Sequence, residues 1–223
     1  MAAVPTTPRL AVLASGRGSN LQAILDAIGD GRLDARVAGV FGDRPKALAL
    51  ERARDAGIPA RGLRPRDFAS RQDYDAALFA AIAAVEPDLI VCAGYMRLLG
   101  AAAIEPWQGR IINIHPSLLP AFKGLDTHAR ALEAGVAEHG ASLHYVTADL
   151  DGGPVIAQAR VAVHHGDDAD ALAARVLAVE HPLMLATLQL LCAGRVNLRD
   201  TRVELDGQPL QAPLQLASNR LRA

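Results

Sequence analysis

A chain of 223 residues, of which 51% are hydrophobic, is long enough for one large α/β domain with a substantial core. Its formal net charge of -1 argues against a general nucleic-acid or membrane-surface binder, since such proteins are usually basic. The two cysteines, Cys92 and Cys192, lie far apart in sequence and indicate no disulfide framework. Without a signal peptide or an apolar run of the roughly 20 residues that span a membrane, we expect a soluble, cytoplasmic protein.

The first half of the chain alternates between predicted strands and predicted helices. Short apolar runs predict strands at residues 9–14, 36–41, 60–63 and 88–93, and apolar residues at helical spacing follow each of the first three runs. The fourth run is continuously apolar, which is typical of a parallel strand that is covered on both faces. This order predicts an α/β fold with a Rossmann-like, mostly parallel twisted sheet and helices on both of its faces.

The segment Ser15-Gly-Arg-Gly-Ser-Asn20 connects the first predicted strand to the first predicted helix. Gly16 and Gly18 allow a tight turn, and Ser19 or Asn20 can cap the helix. Backbone amides at a helix start, together with the positive end of the helix dipole, form a site that suits phosphate. Because the segment has neither the Gly-x-Gly-x-x-Gly nor the Walker spacing, a plain tight turn explains it equally well at this point.

A fifth apolar run, at residues 110–115, predicts a strand that ends in a stiff turn, because Pro116 and Pro120 follow it. Asn113 and His115 interrupt the run two residues apart, so their side chains point to the same face. Ligands bind at the carboxyl edge of a parallel sheet, where a titratable imidazole beside an amide donor suits acyl-group chemistry. The alternative is a buried, hydrogen-bonded histidine and asparagine with no function beyond packing.

Beyond Pro120 the alternation ends, and the pattern predicts antiparallel strands. The predicted elements are a loop at 121–126, a short helix at 127–134, strands at 141–146 and 154–163, a long helix at 168–191 that is interrupted or kinked near Pro182, and a hairpin at 196–210 around Asp206-Gly207. The tight Asp151-Gly-Gly-Pro154 turn before the second strand favours antiparallel pairing. We predict a frayed tail for the last ten or so residues.

Asp151 is the most suggestive carboxylate, because it opens the turn between two core strands. It can hydrogen-bond its own backbone, as aspartates in turns often do, or it can reach His115 and favour the charged imidazolium. Glu180 lies in the middle of a predicted helix and, on general grounds, is a solvated helix residue. The seven histidines show no ligand spacing with carboxylates or thiols, so we expect no metal site.

Three segments resemble folate-dependent formyltransferases in their order and relative spacing. They are Ser15-Gly-Arg-Gly-Ser-Asn20, Asn113-Ile-His-Pro-Ser-Leu-Leu-Pro120 and Leu150-Asp-Gly-Gly-Pro154. Within that superfamily the phosphate turn, the Gly124-Leu-Asp-Thr-His128 run and the chain length favour the phosphoribosylglycinamide formyltransferases. Methionyl-tRNA formyltransferases carry a further C-terminal domain, and formyltetrahydrofolate deformylases have an N-terminal regulatory domain and a second histidine where Pro116 stands.

The resemblance implies a single formyltransferase domain over residues 1–223, with a phosphate-binding half at about 9–100 and a catalytic and folate-binding half at about 101–210. It implies transfer of a formyl group from 10-formyltetrahydrofolate, a co-substrate, to the amine of glycinamide ribonucleotide in de novo purine biosynthesis. The protein is then a monomer or homodimer that acts on small molecules and binds neither nucleic acid nor a membrane. The alternative is formyltetrahydrofolate hydrolysis, or a catalytically silent folate- or nucleotide-binding module.

The resemblance also assigns roles to individual residues. Asn113, His115 and Asp151 match the catalytic set without substitution. The residues implied in binding glycinamide ribonucleotide are Gly18, Ser19 and Asn20 for its phosphate and Glu180 for its ribose hydroxyls. The residues implied in binding the folate are Arg71, Met96, Arg97, Leu98, Leu99, Asn113, Thr147 and Asp151. Asp126 stands where some members have a histidine, which leaves the role of that side chain open.

Overall fold

The computed structural model describes residues 7–222 and divides into two compact units, Met1–Ala103 and Ile104–Ala223. The first unit contains the predicted alternation. Its strands are β1 (Arg9–Leu13), β2 (Arg36–Gly42), β3 (Ala60–Gly62) and β4 (Leu89–Cys92), and its helices are α1 (Ser19–Gly29), α2 (Leu48–Asp55) and α3 (Arg71–Ala83), with a 3-10 turn at Pro65–Asp67. The strands lie in the order β4-β1-β2-β3, and their pairs are parallel.

The apolar strands form the core of the first unit. Val12 of β1 and Ile90 of β4 are fully buried, and so are Leu21 and Leu78 on the helices that cover the strands. Because these strands are parallel, the segments that follow them lie at one carboxyl edge. That edge collects the turn after β1, the loop after β2 and the segment after β4, which starts at Ala93.

The second unit contains a mixed sheet and a separate small antiparallel sheet. Its strands are β5 (Ile111–His115), β6 (Glu138–Tyr145), β7 (Val155–Ala162), β8 (Val196–Arg199), β9 (Arg202–Leu205), β10 (Gln208–Pro209), β11 (Leu214–Ala217) and β12 (Arg220–Arg222). The short α4 (Ala101–Ile104) begins in the first unit and ends at the first residue of the second, where a 3-10 turn at Glu105–Trp107 precedes β5. The helices α5 (Thr127–Glu133) and α6 (Ala169–Cys192) follow β5.

The strand order β5-β6-β7-β11-β12 is antiparallel at each pair except the parallel pair of β7 and β11. Strands β8, β9 and β10 form the small antiparallel sheet. The predicted fold class, a Rossmann-like sheet to which antiparallel strands are added in the C-terminal half, is confirmed. The prediction of a single domain stays a prediction.

The prediction of a frayed tail is wrong. Strands β11 and β12 form a hairpin, and β11 pairs with β7 through Leu214, which lies opposite Ala157. Leu214 is buried. The partner strand lies far earlier in the chain, so no local pattern in the tail reveals the pairing.

The 196–210 segment is a three-stranded meander rather than a single hairpin. One turn lies at the predicted Asp206, and the other lies at Asp200, where φ is 55°. Aspartate tolerates this left-handed conformation better than most residues, so the second turn forms without a glycine. Since no glycine or proline marks the turn at Asp200, the local sequence gives no signal for it.

Helix α6 runs unbroken from Ala169 to Cys192 through Pro182, so the predicted interruption is wrong, while the alternative of a kink near Pro182 stays a prediction. The helix packs against β6 and β7. It buries one face there, through Leu172, Val176, Leu183, Met184 and Leu188. This burial offsets the backbone hydrogen bond that a proline removes from a helix.

By length and composition alone, the 24 residues of α6 are apolar enough to cross a membrane, which corrects our expectation that no segment is. The core helix of a globular unit meets the same criterion. Because the apolar face of α6 packs on β6 and β7, we interpret α6 as a core helix.

Candidate active site

The turn after β1 is held in a conformation that only glycine adopts without strain. Gly18 has φ 73°, and a Cβ atom added there would lie 2.7 Å from the Cα atom of Ala49 at the start of α2. The amide of Ala49 donates a hydrogen bond to the carbonyl of Gly16 at 3.1 Å, and this bond also holds the turn close to α2. The turn is therefore built against α2, and its shape depends on Gly18.

Helix α1 begins directly after Gly18, which is its N-cap residue. The prediction that Ser19 or Asn20 caps the helix is wrong, because both are already helical and no side chain caps α1. The first helical hydrogen bond runs from Gln22 N–H to the Gly18 carbonyl at 2.9 Å. The preceding amides take no part in the helix's own hydrogen bonds, and the first turn carries no acidic residue.

These amides border a cleft of about 220 Å³. The residues that line it are Ser15, Gly16, Arg17, Gly18, Ser19, Asn20, Arg44, Ala93, Gly94 and Met96. Backbone donors at the positive end of a helix dipole, in a cleft with two arginines, have the chemistry of a phosphate site.

The segment after β4 presents apolar side chains to solvent. Met96 is 62% exposed and Leu98 is 52% exposed, whereas Leu99 is buried. Arg71 on α3 donates to the carbonyl of Leu98 at 2.9 Å, so the structure brings these predicted folate-binding residues together. Exposed apolar side chains on a fixed backbone suit a flat, partly apolar ligand.

Side chains of neighbouring elements fix the backbone of this segment. Met96 N–H donates to Ser15 Oγ at 3.0 Å, and Gly100 N–H donates to the buried carboxylate of Asp75 at 2.9 Å. The hydroxyls of Tyr74 and Tyr95 lie 2.7 Å apart. Ser15 belongs to the glycine-rich turn, so one hydroxyl ties the predicted phosphate turn to the predicted folate segment.

In the second unit, β5 places the side chain of His115 at the start of a buried polar cluster. Its Nδ1 lies 3.4 Å from Asp151 Oδ2, and its Nε2 lies 3.1 Å from the carbonyl oxygen of Phe122. Both ring nitrogens face oxygen acceptors, and only the doubly protonated imidazolium can donate to both.

Asp151 is held in the left-handed conformation, with φ 44°, at the start of the Asp-Gly-Gly-Pro turn. Its Oδ2 also accepts a hydrogen bond from Gly124 N–H at 2.9 Å. A Cβ atom on Gly153 would lie 1.9 Å from the Tyr145 carbonyl oxygen, so this turn also needs a glycine. Of the two roles that the sequence left open for Asp151, the contact with His115 is the one that the structure contains.

Asn113 contacts a residue that the sequence analysis did not include among the site residues. Its Nδ2 lies 3.1 Å from His144 Nε2, and His144 Nδ1 lies 2.9 Å from the Tyr145 carbonyl. The carbonyl requires a proton on Nδ1, so the neutral ring accepts from Asn113 through Nε2. Burial lowers the pKa of His144, which is consistent with this neutral form.

Two further histidines lie near the ring of Phe122. His128 Nδ1 and His139 Nε2 are 3.2 Å apart, and the Phe122 ring meets the His139 ring edge to face. Burial, followed by the charges of His128 and His115, lowers the pKa of His139 to about 4. Burial also lowers the pKa of His128. At neutral pH the pair is uncharged and shares one hydrogen bond.

The family described as "Formyl transferase" matches residues 8–188 of the chain. The phosphoribosylglycinamide formyltransferase of Escherichia coli strain K12 is 46% identical over 201 residues, which cover 90% of this chain and 95% of the relative. The chain belongs to the phosphoribosylglycinamide formyltransferase family.

Solved structures of a formyltransferase and of a deformylase share the fold. A phosphoribosylglycinamide formyltransferase from Coxiella burnetii has a TM-score of 0.88 and 46% identity, over 92% of this chain and 96% of that chain. A formyltetrahydrofolate deformylase from Pseudomonas syringae has a TM-score of 0.83 and 26% identity, over 90% of this chain and 66% of that chain. Both similarities extend over most of this formyltransferase.

Two more residues with implied roles lie in the second unit of this formyltransferase. Glu180 is half-buried on α6, next to His181, whose pKa is lowered by burial. Thr147 is half-buried after β6, and its Oγ1 has no hydrogen-bond partner among residues 7–222. Across those same residues, no group of three or more histidine, cysteine, aspartate or glutamate side chains could hold a metal ion.

His144 is the residue that sequence reasoning missed in this formyltransferase. It lies directly opposite Asn113 in the antiparallel pairing of β5 with β6. A register prediction for these two strands would have found it, because residues that face each other across a pair share one side of the sheet. The chain offered no local signal for that register.

Proposed function

We propose that this formyltransferase transfers the formyl group of 10-formyltetrahydrofolate to the primary amine of glycinamide ribonucleotide, a step of de novo purine biosynthesis. The observation that carries the proposal is the buried His115, whose ring nitrogens both face oxygen acceptors and which lies two residues from an amide donor on the same strand. The membership of the family supports the choice of substrates. Each of the two substrates needs its own set of binding residues.

The amine nitrogen attacks the formyl carbon, and negative charge develops on the formyl oxygen. A new bond forms between the amine nitrogen and the formyl carbon, and the bond from the formyl carbon to the folate nitrogen then breaks. His115 Nε2–H turns from the Phe122 carbonyl to the oxyanion, while Asn113 has one amide hydrogen for His144 and a second for the oxyanion. Each such donor contributes about 10²–10³ in rate.

The proton lost by the amine nitrogen ends on the folate nitrogen that leaves. Asp151 accepts it directly or through water and passes it on, and its contact with His115 orients the imidazole ring. No covalent intermediate with the protein forms. Holding both substrates in a reactive geometry supplies much of the remaining rate enhancement.

The substrates bind through the residues that the family resemblance implies. Gly18, Ser19 and Asn20 bind the phosphate of the ribonucleotide, and Glu180 accepts hydrogen bonds from its ribose hydroxyls. The folate contacts the segment Met96, Arg97, Leu98 and Leu99, together with Arg71, Asn113, Thr147 and Asp151. We place the protein in the cytoplasm, as a monomer or homodimer that binds neither nucleic acid nor a membrane.

An assay with both substrates tests the proposal. Purified protein is mixed with 10-formyltetrahydrofolate and glycinamide ribonucleotide, and formylated product and free tetrahydrofolate are measured together. We expect equal amounts of both, and no tetrahydrofolate when the amine is left out. Tetrahydrofolate release without the amine would instead establish hydrolysis, the activity of the Pseudomonas syringae neighbour. No turnover in either mixture would indicate a silent binding module.

A further inference from the structure

The charged residues that line the cleft at the glycine-rich turn are all positive. Among its lining residues, Arg17 and Arg44 are charged and no carboxylate is present. Asp43, the neighbour of Arg44 in sequence, is only 8% exposed and does not line the cleft. The first turn of α1 adds no acidic residue. An anion in this cleft therefore meets only positive groups among the residues that line it.

Arg44 is exposed, and its side chain forms no ion pair within residues 7–222. Many other arginines of the chain are engaged with carboxylates: Arg32, Arg64, Arg71, Arg160, Arg175, Arg195 and Arg199 contact Asp or Glu within 4.0 Å. A guanidinium with no carboxylate partner keeps its donors for a ligand.

The backbone that carries Arg44 is fixed. Its carbonyl accepts from Ala47 N–H at 2.9 Å, and a Cβ atom on Gly62 would lie 2.4 Å from the Cα atom of the adjacent Pro45. Arg17 differs, because it belongs to the turn itself, whereas Arg44 follows β2. Arg44 is thus the charged lining residue that approaches the cleft from an element other than the turn.

We propose that Arg44 binds the phosphate of the acceptor substrate and makes this formyltransferase select a phosphorylated amine over its unphosphorylated counterpart. The proposal rests on the function proposed above. The amides of the turn surround a phosphate but carry only partial charge. A guanidinium adds a full charge and a planar fork of donors that matches two phosphate oxygens.

Steady-state kinetics with two acceptors test this role. The acceptors are glycinamide ribonucleotide and the ribonucleoside that lacks its phosphate, and the variants are Arg44→Ala and Arg44→Lys. With the ribonucleotide, Arg44→Ala is expected to raise KM about 10- to 100-fold and to leave kcat unchanged. With the ribonucleoside, its kcat/KM equals that of the wild type. Arg44→Lys, which keeps the charge but not the fork, lies in between.

Arg36→Ala is the matched control. Arg36 is also an exposed arginine, but it starts β2 at the amino edge of the sheet, away from the cleft that follows the strands. Its removal changes the net charge equally and is expected to leave both KM values unchanged. A raised KM with Arg36→Ala as well would mean that general electrostatic attraction explains the effect, and it would overturn the assignment of Arg44.

Two other outcomes would also overturn it. One is an unchanged KM for the ribonucleotide in Arg44→Ala, and the other is an equal loss of kcat/KM with both acceptors, which would indicate a disturbed fold. Titration with inorganic phosphate separates this proposal from the function. If the wild type transfers no formyl group, weaker binding of phosphate to Arg44→Ala than to the wild type and to Arg36→Ala still supports the role of Arg44, and equal binding refutes it.

Discussion

At the scale of single residues, the proposed chemistry depends on where the protons of the histidines lie. The Tyr145 carbonyl fixes the tautomer of His144, and His144 then orients the amide of Asn113. His115 instead faces the Phe122 carbonyl through Nε2 and Asp151 through Nδ1.

We expect His115→Ala and Asn113→Ala each to lower kcat about 10²–10³-fold, because each removes one donor to the oxyanion. KM for glycinamide ribonucleotide should change little. Asp151→Asn keeps an acceptor for Gly124 N–H but loses the charge that faces His115, so it should also lower kcat. His165→Ala, an exposed histidine outside the cluster, is the control. Near wild-type turnover in both alanine variants would show that the oxyanion assignment is wrong.

His139 makes the stability of the fold depend on pH. Its pKa is about 4 in the folded protein, against 6.5 as the usual value. Because the folded pKa is the lower one, the unfolded chain binds the proton first, and the stabilisation present above pH 6.5 is lost as the pH falls towards 4. Urea unfolding of the wild type and of His139→Gln between roughly pH 7.5 and 4.5 measures this.

The wild type should lose on the order of 2 kcal/mol more than His139→Gln over that range, since glutamine does not titrate. Both proteins should lose some stability, because burial also lowers the pKa values of His128, His144 and His181. Parallel pH curves for the two proteins would contradict a buried, neutral His139.

At the scale of elements, the start of α1 shows how a turn forms an anion site without a capping side chain. Gly18, in the left-handed conformation, is both the last residue of the turn after β1 and the N-cap residue of α1. Its close approach to Ala49 also couples the turn to α2. Ser15 ties the same turn to the segment at Met96.

Gly18→Ala and Gly31→Ala separate backbone strain from this close approach. Both glycines have positive φ, 73° and 71°, but only a Cβ atom on Gly18 meets Ala49, while the space at Gly31 is open. Each variant should lose about 1–2 kcal/mol of stability from the left-handed conformation. Only Gly18→Ala should also raise KM for glycinamide ribonucleotide, about tenfold or more, because the turn must shift. Equal KM values in the two variants would mean that the turn does not bind the substrate.

At the scale of the whole molecule, the second unit extends its sheet with the last residues of the chain. β11 lies beside β7, and Leu214 is buried there. A segment that local patterns mark as a tail is thus part of a sheet. The antiparallel β11-β12 pair then continues that sheet.

Removal of residues 211–223 should lower the stability of the protein. Loss of a buried leucine costs about 1.5–3 kcal/mol, which corresponds to a drop in Tm of about 5 °C for a chain of this size. Removal of residues 218–223 leaves Leu214 in place and takes away β12 with the turn before it, where none of residues 218–222 is buried, so its effect should be smaller. Equal melting temperatures for all three proteins, measured by calorimetry, would show that the terminal hairpin adds no stability.

Several features of the fold and site could be predicted because they depend on residues that are close together in the sequence. The alternation of β1 to β4 with their helices follows from hydrophobic period, and the shared face of Asn113 and His115 follows from their two-residue spacing on a strand. Errors occurred where a local rule met a non-local contact. Pro182 remains helical because α6 packs on β6 and β7, and the turn at Asp200 has no glycine to mark it.

The sequence by itself determined the α/β class, the glycine-rich turn and the strand that carries Asn113 and His115, since each depends on residues a few positions apart. Only the tertiary structure decided that Asp151 reaches His115 and that His144 faces Asn113. It also decided that Arg44 shares a cleft with the turn. These contacts join residues distant in the chain, and their formation depends on strand register and loop closure, which no local pattern encodes.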